Sequence, residues 1–219
     1  MISTYQYSQF IKYLKSEFNK LLKEFELPKN YCTIIIRTSS RVIKDFIIHD
    51  FNISKETDGK LLHYGIKNLF KNLTQEDNNT IMYCLADYNE ETKVLSRRLI
   101  IPEKVIMSLL LFNDIELVKQ YCKLLLRHEL GHHLYDDYLY EKLGYEKGEQ
   151  YLYNQYNKDL IKYEAYKIRL KEQNKYSSSK VFTYYNTKIK QEIKANEYGK
   201  VDVKELIKCN EQIDIYFAE

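Results

Sequence analysis

Hydrophobic residues recur along the first third of the chain at intervals that predict two helices and a short strand. Residues 7–27 carry apolar side chains at helical spacing and end before Pro28, which predicts an amphipathic helix packed on a core. Residues 32–37 (CTIIIR) form a β-branched run that is typical of a strand. Residues 61–73 again have helical spacing, so a second helix is expected there.

Further along the chain the pattern changes to that of a β-hairpin. Residues 80–87 and 93–101 read as strands on either side of the polar turn at 89–92, and Pro102 ends the second strand. This hairpin predicts a small antiparallel sheet.

The second half of the chain has mainly helical spacing. A long helix is expected to begin at Asp114, a residue suited to an N-cap, and a later helix is expected to end near Gly199. The serine run at 177–179 should interrupt the pattern. Four helices are predicted here, over residues 114–138, 150–173, 183–198 and 203–217. The expected fold class is therefore α+β, mostly helical, with the small antiparallel sheet packed on the long helix.

Composition narrows the class of protein. The 219 residues suit a single domain, and a charged fraction of 30% with a mean hydropathy of −0.54 indicates a soluble protein. The longest apolar run, residues 105–112, is too short to span a bilayer, and residues 1–18 lack the pattern of a secretory signal. Four scattered cysteines with no Cys-x-x-Cys spacing favour reduced thiols and a cytoplasmic location.

Charge is unevenly distributed along the chain. Residues 141–190 hold eleven Lys and Arg against six Asp and Glu, together with nine tyrosines. Lysine beside aromatic residues can bind single-stranded nucleic acid. A nucleic-acid-binding protein usually presents a stronger, clustered basic face, so the composition does not favour direct nucleic-acid binding.

The long helix carries the pattern H-E-x-x-H at His128, Glu129 and His132. Residues four apart lie on one face of a helix, so both imidazoles can reach one metal ion at about 2.0–2.1 Å, the zinc–nitrogen distance. Glu129 points to the side and is placed to hold a metal-bound water and take its proton. Gly131 leaves room for another backbone to pass close to the helix.

A catalytic zinc site needs a third protein ligand. His133 points away from His132 and is expected to be solvated, and Asp136 cannot converge with both histidines along one straight helix. The candidates on other helices are Glu164 and Glu192. Glu192 is favoured because Asn196, one turn later, could orient a ligating histidine through its second ring nitrogen. Such a ligand set also accepts divalent ions other than zinc.

Three segments together resemble the ImmA/IrrE family of zinc-dependent endopeptidases. The hairpin "CLADYNEETKVLSRRLIIP" is similar to the strand pair before the family's active helix, and "LLRHELGHHLYDD" is similar to that helix. The later segment "QEIKANEYGKVDVKELI" resembles the family pattern E-x-x-A-[ND]-x-aromatic-small. Its matching residues are Glu192, Ala195, Asn196, Tyr198 and Gly199.

The resemblance implies a zincin-like, gluzincin-like metallopeptidase domain over residues 1–219 that acts on a protein substrate. Members of this family act on DNA-binding repressors of mobile elements or stress responses, so a helix-turn-helix repressor is the implied partner. One departure is that 59 residues separate His132 from Glu192, about twice the spacing expected for the family. The excess, a Tyr/Lys-rich helical insertion at about 141–180, could cover the cleft or bind a partner.

The expected chemistry is metal-assisted amide hydrolysis. Zn²⁺ on His128, His132 and Glu192 would polarise the scissile carbonyl, and Glu129 would act as general base. The second hairpin strand, residues 95–101, is expected to bind substrate as an added strand.

Two points stay open from the sequence. Several tyrosines, Tyr166 and Tyr198 among them, are candidates for stabilising the oxyanion. The alternative function is a zinc-containing, non-catalytic binding module that regulates a partner by direct association; a secreted toxin protease is disfavoured because no signal segment is seen.

Overall fold

A computed structural model describes residues 3–37, 82–89 and 94–213 of the chain. The helix expected over residues 61–73 lies outside the described residues, as do residues 90–92 of the expected turn. The described strands are β1 (Thr33–Arg37), β2 (Tyr83–Asn89) and β3 (Val94–Pro102). The described helices are α1 (Thr4–Glu24), α2 (Glu103–Leu110), α3 (Ile115–Leu143), α4 (Tyr145–Glu172), α5 (Ser178–Lys188), α6 (Lys190–Tyr198) and α7 (Val203–Ile213). The mostly helical α+β class is thus confirmed.

The N-terminal helix α1 begins three residues earlier than the hydrophobic pattern indicates. Ser3 and Gln6 form a capping box, in which the Ser3 hydroxyl accepts from the Gln6 amide and the Gln6 side chain accepts from the Ser3 amide. The apolar face predicted from the sequence is buried, with Phe10, Leu14 and Phe18 in the main core. Helix α1 therefore covers one side of the long helix α3.

The sheet has the order β1-β3-β2. The β2–β3 pair is antiparallel, as the hairpin pattern predicts, but β1 adds to the other edge of β3 in parallel, so the small sheet is mixed rather than wholly antiparallel. A parallel pair needs a connection of about a dozen residues or more, and the long stretch between β1 and β3 provides one. The sheet packs on α3, since Leu99 and Ile101 share a core with Leu126 and Leu130.

Helix α3 is the central element of the fold. Asp114 caps its first turn by accepting from the Leu117 amide, as expected, but the helix continues to Leu143, five residues beyond the predicted end. Gly144 ends it at φ 78°, a conformation that favours glycine, and α4 starts directly afterwards. Helix α3 therefore passes without a loop into the Tyr/Lys-rich segment.

The C-terminal helices differ from the predicted pattern in one place that matters for the site. The single helix expected over residues 183–198 is two helices, α5 and α6, which meet at Ile189 in an extended conformation (φ −84°, ψ 125°). Ser177, from the predicted serine break, caps α5 by accepting from the Lys180 amide. The buried Ile189 allows the chain to change direction just before Glu192.

Two further helices, α2 and α7, differ from the predicted pattern. The short helix α2 was not predicted, because its apolar run has few polar positions to show a period; Val105, Ile106 and Leu109 are all buried. The last helix, expected over residues 203–217, is described as Val203–Ile213. Across the described ranges, no helix combines the length and the apolar composition that crossing a bilayer requires.

Candidate metal centre

The two motif histidines lie together on the face of α3 that is turned toward α6. His128 and His132 are one helical turn apart, and their Nε2 atoms are 3.2 Å from each other. His128 is buried, whereas the His132 side chain keeps 18% of its surface exposed. The pair is therefore buried on one side and reachable by solvent on the other.

Helix α6 brings Glu192 to the same point. Its Oε2 atom lies 2.9 Å from Nε2 of His128 and 3.5 Å from Nε2 of His132. Two ligands held tetrahedrally at about 2.0–2.1 Å from one zinc ion are about 3.3 Å apart. The three atoms thus form a triangle with the edge lengths of a zinc-sized site, so this group can hold a metal ion.

Two glycines, Gly131 and Gly199, allow helices α3 and α6 to approach closely, which brings Glu192 near the histidines. A Cβ placed on Gly131 would lie 1.9 Å from the Ala195 carbonyl oxygen, and one placed on Gly199 would lie 2.1 Å from the Arg127 carbonyl oxygen. Helices α3 and α6 therefore cross with their backbones in contact. Gly131 leaves room for another backbone, as the sequence predicts, and Gly199 ends α6, as expected. The φ of Gly199 is −75°, which any residue can adopt, so glycine is required at this position because a Cβ would not fit.

Asn196 fixes the tautomer of His128. Its Oδ1 atom is 2.8 Å from Nδ1 of His128, and its amide nitrogen donates to the Asn186 backbone carbonyl at 3.2 Å. Because that carbonyl can only accept, the amide oxygen must face the imidazole, so Nδ1 of His128 carries the proton and donates it. Nε2 of His128 is left with a free lone pair directed at the site, as metal ligation requires.

The charges in the site favour a bound cation. Burial raises the pKa of Glu192, but the neighbouring His132 and His128 reverse this and hold the pKa of that carboxyl well below its usual range. Burial lowers the pKa of His132, but the Glu192 carboxylate outweighs it and raises the pKa to about 9. The Glu192 carboxylate therefore needs a positive partner, which is a proton on His132 in the metal-free chain and would be the metal when a divalent ion is bound.

Glu129 lies beside the three potential ligands and does not join them. It is buried, and this burial raises the pKa of its carboxyl, opposed by the nearby His128 and His132. A buried carboxylate with a raised pKa beside a possible metal site is a candidate for proton transfer there.

Tyr185 lies near the site and was not predicted from the sequence. Burial, together with the negative charge of the nearby Glu192 carboxylate, raises the pKa of its phenol well above the usual value. Tyr185 lies on α5, seven residues before Glu192, and only the turn at Ile189 brings the two side chains together. No local pattern signals that turn.

Other residues considered from the sequence lie elsewhere. Glu164 is on α4, half exposed, and pairs with Lys167 at 3.2 Å. Asp136 is not part of the three-residue group, and burial raises its pKa to about 7. The expectation of a solvated His133 is wrong: it is buried, and its Nε2 atom lies 3.4 Å from the Arg98 carbonyl oxygen.

The two tyrosines considered for the oxyanion pack against other rings. Tyr198 lies 5.4 Å from Tyr135 and 5.7 Å from Tyr138 between ring centroids, and Tyr166 stacks on Tyr184 at 3.9 Å. These positions do not single out either residue as an oxyanion donor.

The prediction that residues 95–101 bind substrate as an added strand needs a correction over part of their length. These residues belong to β3, the central strand of the sheet. Residues 98–102 pair with β1 on one side and residues 94–100 pair with β2 on the other, so in the described structure the C-terminal part of β3 has no free edge for a peptide, whereas residues 94–97 pair with β2 alone. Among the described strands, β2 is the edge strand beside the site. Burial, with the charges of Glu129, Asp136 and Glu192, raises the pKa of its Cys84 well above the usual value.

Comparisons of the chain with protein-family models, with curated proteins and with solved structures give no match.

Proposed function

We propose that this chain is a metal-dependent endopeptidase that hydrolyses a peptide bond in a protein substrate. The observation that carries the proposal is the triangle of His128, His132 and Glu192, with Glu129 buried next to it. Three protein ligands leave a fourth position for water or substrate, which distinguishes a catalytic site from a closed structural one. The exposed edge of His132 gives solvent a route to that position.

His128, His132 and Glu192 would hold the metal, with Zn²⁺ as the proposed ion. Two imidazoles and one carboxylate suit zinc, although other divalent ions bind such sets. When bound, zinc would lower the pKa of a water molecule and polarise the scissile carbonyl. Asn196 keeps the Nε2 lone pair of His128 available for the metal.

Glu129 is the proposed general base. Its burial favours accepting a proton, and it would pass that proton to the leaving amide nitrogen. Because Glu129 follows His128 directly on α3, the rigid helix fixes its distance from the site.

The edge strand β2 is the proposed binding strand for an extended substrate peptide. Within the described residues it pairs with β3 alone, and its Cys84 side chain lies close enough to the site for Glu129 and Glu192 to affect its pKa. Pairing with an edge strand fixes a peptide through its backbone and reads little of its sequence.

The resemblance to the ImmA/IrrE endopeptidases supplies the proposed substrate class. By that likeness, the substrate is a DNA-binding repressor or regulator of a mobile element or stress response. The four cysteines are unpaired in the structure, which supports a cytoplasmic place of action.

The proposal is tested by Glu129→Gln. Glutamine keeps the size of the side chain but cannot accept the proton, so we expect cleavage to fall by about 10²–10⁴-fold while zinc remains bound. The zinc-loaded protein is incubated with peptides from a total protein digest, new termini are counted by mass spectrometry, and bound zinc is measured by elemental analysis.

The matched control is Glu164→Gln, the same change at a half-exposed position on α4, which should leave both cleavage and zinc unchanged. Undiminished cleavage by Glu129→Gln would refute the role of Glu129. A zinc-loaded wild-type protein that produces no new termini would refute the peptidase proposal and favour a module that binds its partner without cutting it.

A further inference from the structure

Helix α4, the main element of the Tyr/Lys-rich insertion, contacts the two residues that precede Glu192. The Asp159 carboxylate accepts from the Gln191 backbone amide at 3.3 Å. The Gln191 side chain donates to the Leu152 carbonyl at 3.0 Å, and Lys190 donates to the Tyr151 hydroxyl at 2.7 Å. Three hydrogen bonds from one helix thus converge on the start of another.

The start of α6 needs such partners because it has no cap of its own. The residue at its N-cap position is Ile189, whose side chain makes no hydrogen bond. The first amides of a helix have no partner within the helix, and a buried amide without a partner is costly. Asp159 supplies from α4 the oxygen that a local Ser, Thr or Asp would normally provide.

Asp159 is buried among few partners of its own. It is 3% exposed, and the Lys162 ammonium lies 3.8 Å from its Oδ1 atom, which is longer than a hydrogen bond. Burying a carboxylate is unfavourable unless it is hydrogen-bonded or paired with a positive charge. The Asp159 carboxylate accepts from an amide at the N-terminus of α6, which is the positive end of the helix dipole. The placement of this acid is therefore tied to α6.

The position of Glu192 depends on that first turn. Glu192 follows Gln191 directly, and α6 has only nine residues, so a loose first turn would move the carboxylate. A metal site tolerates displacements of only about 0.5 Å in its ligands. The far end of α6 is fixed by the Gly199 crossing, and the near end is fixed by α4.

We propose that Asp159 is a positioning residue for the metal centre: by capping α6 it holds Glu192 within reach of His128 and His132. The insertion at about 141–180 is then part of the site and not an appendage. This inference rests on the metal centre of the proposed function, and it does not require that the chain cleaves peptides.

The test compares Asp159→Ala and Asp159→Asn with a matched control. Asn210→Ala removes another buried polar side chain, on α7, where Asn210 accepts from the Tyr121 hydroxyl at 2.6 Å. For each purified full-length variant, zinc affinity is measured by competition with a chelator, the visible spectrum is recorded with Co²⁺, and thermal unfolding is measured without metal.

We expect Asp159→Ala to weaken zinc binding by about tenfold and to alter the Co²⁺ spectrum. Asp159→Asn keeps an acceptor oxygen and should lie closer to the wild type in both measurements. Asn210→Ala should lower the unfolding temperature while leaving zinc affinity and the Co²⁺ spectrum as in the wild type.

Two results would overturn the inference. If Asp159→Ala lowers the unfolding temperature but keeps wild-type zinc affinity and Co²⁺ spectrum, α4 has a structural role only. If the wild type binds neither ion, the metal centre and this inference fail together. A wild type that binds zinc and cuts nothing would refute the peptidase proposal alone.

Discussion

At the residue scale, hydrogen bonds in the site determine which atom of each polar side chain donates and which accepts. The Asn186 carbonyl orients the Asn196 amide, which in turn orients His128, so a chain of two hydrogen bonds prepares one lone pair for a metal. All of these groups lie in the buried part of the molecule, where an unmet donor or acceptor is costly.

Replacing Asn196 with alanine should weaken zinc binding by about 10–100-fold, because the proton on Nδ1 of His128 loses its acceptor. The measurement is zinc affinity by chelator competition. The control is Asn154→Ala, at an exposed position on α4 where the side chain accepts from Gln150, and it should bind zinc like the wild type. Equal affinities for the two variants would contradict the role of Asn196.

Asp136 predicts a pH dependence of stability. Burial raises its pKa from the ordinary value of 3.8 to about 7, so the folded chain keeps a proton that the unfolded chain releases above about pH 4. The contribution of this proton to the free energy of unfolding is fully present below about pH 4 and is lost as the pH rises through about 7.

Asp136→Asn removes this titration. With chelator present, the wild type should lose more free energy of unfolding between pH 5 and pH 8 than the variant does, as measured by urea unfolding at each pH. Parallel stability curves for the two proteins would show that Asp136 is ionised in the folded chain.

Sequence reasoning reached the residues that follow from helical periodicity and missed those that depend on tertiary contacts. Spacing of four residues places His128 and His132 on one face, and the same rule pairs Glu192 with Asn196. The burial of His133 depends on a neighbour distant in sequence, the Arg98 carbonyl. The closeness of Tyr185 to Glu192 depends on the break between two helices at Ile189. No local pattern could have indicated them.

At the element scale, the crossing of α3 and α6 determines the geometry of the site. Gly131 and Gly199 face the partner helix at its backbone, where no side-chain movement can make room for a methyl group. A backbone contact of this kind is less adaptable than a contact between side chains.

Gly131→Ala should therefore destabilise the chain by about 3 kcal/mol, at the upper end of what overpacking usually costs. It should also lower zinc affinity, because α6 must move away from α3. Urea unfolding and chelator competition measure the two effects.

Gly148→Ala is the matched control for this prediction. Its new Cβ would meet the Tyr140 ring at 2.7 Å, and a side chain can shift where a backbone cannot. A Gly131→Ala variant as stable as Gly148→Ala would contradict the backbone contact.

The features that were not predicted from the sequence are those that depend on contacts between residues far apart in the chain or on packing. Residues 183–198 contain neither glycine nor proline, so nothing local marks the break at Ile189. The place of β1 beside β3 depends on a long-range pairing that a local pattern of five residues cannot specify. The hairpin of β2 and β3, by contrast, is a local structure and was predicted.

At the scale of the whole molecule, α3 connects the parts. Its Leu126 and Leu130 lie in the core with the sheet and α1, its histidines face α6, and its C-terminal end runs into α4 through Gly144. Tyr31 and Arg97 both contact the Asp137 carboxylate, which ties the segment before β1 and the strand β3 to the same helix. All of these parts therefore contact the helix that carries the two histidines.

The backbone-to-backbone crossing of α3 and α6 also bears on how an ion would arrive. Because the two backbones are already in contact, the helices cannot move any closer together around an incoming cation. The three ligand atoms already lie together, so binding would require little ordering of the chain. Of the three ligands, His132 has the most exposed side chain, so in the described part of the chain an entering ion would pass this histidine first. The rate of metal binding would then depend on access past His132.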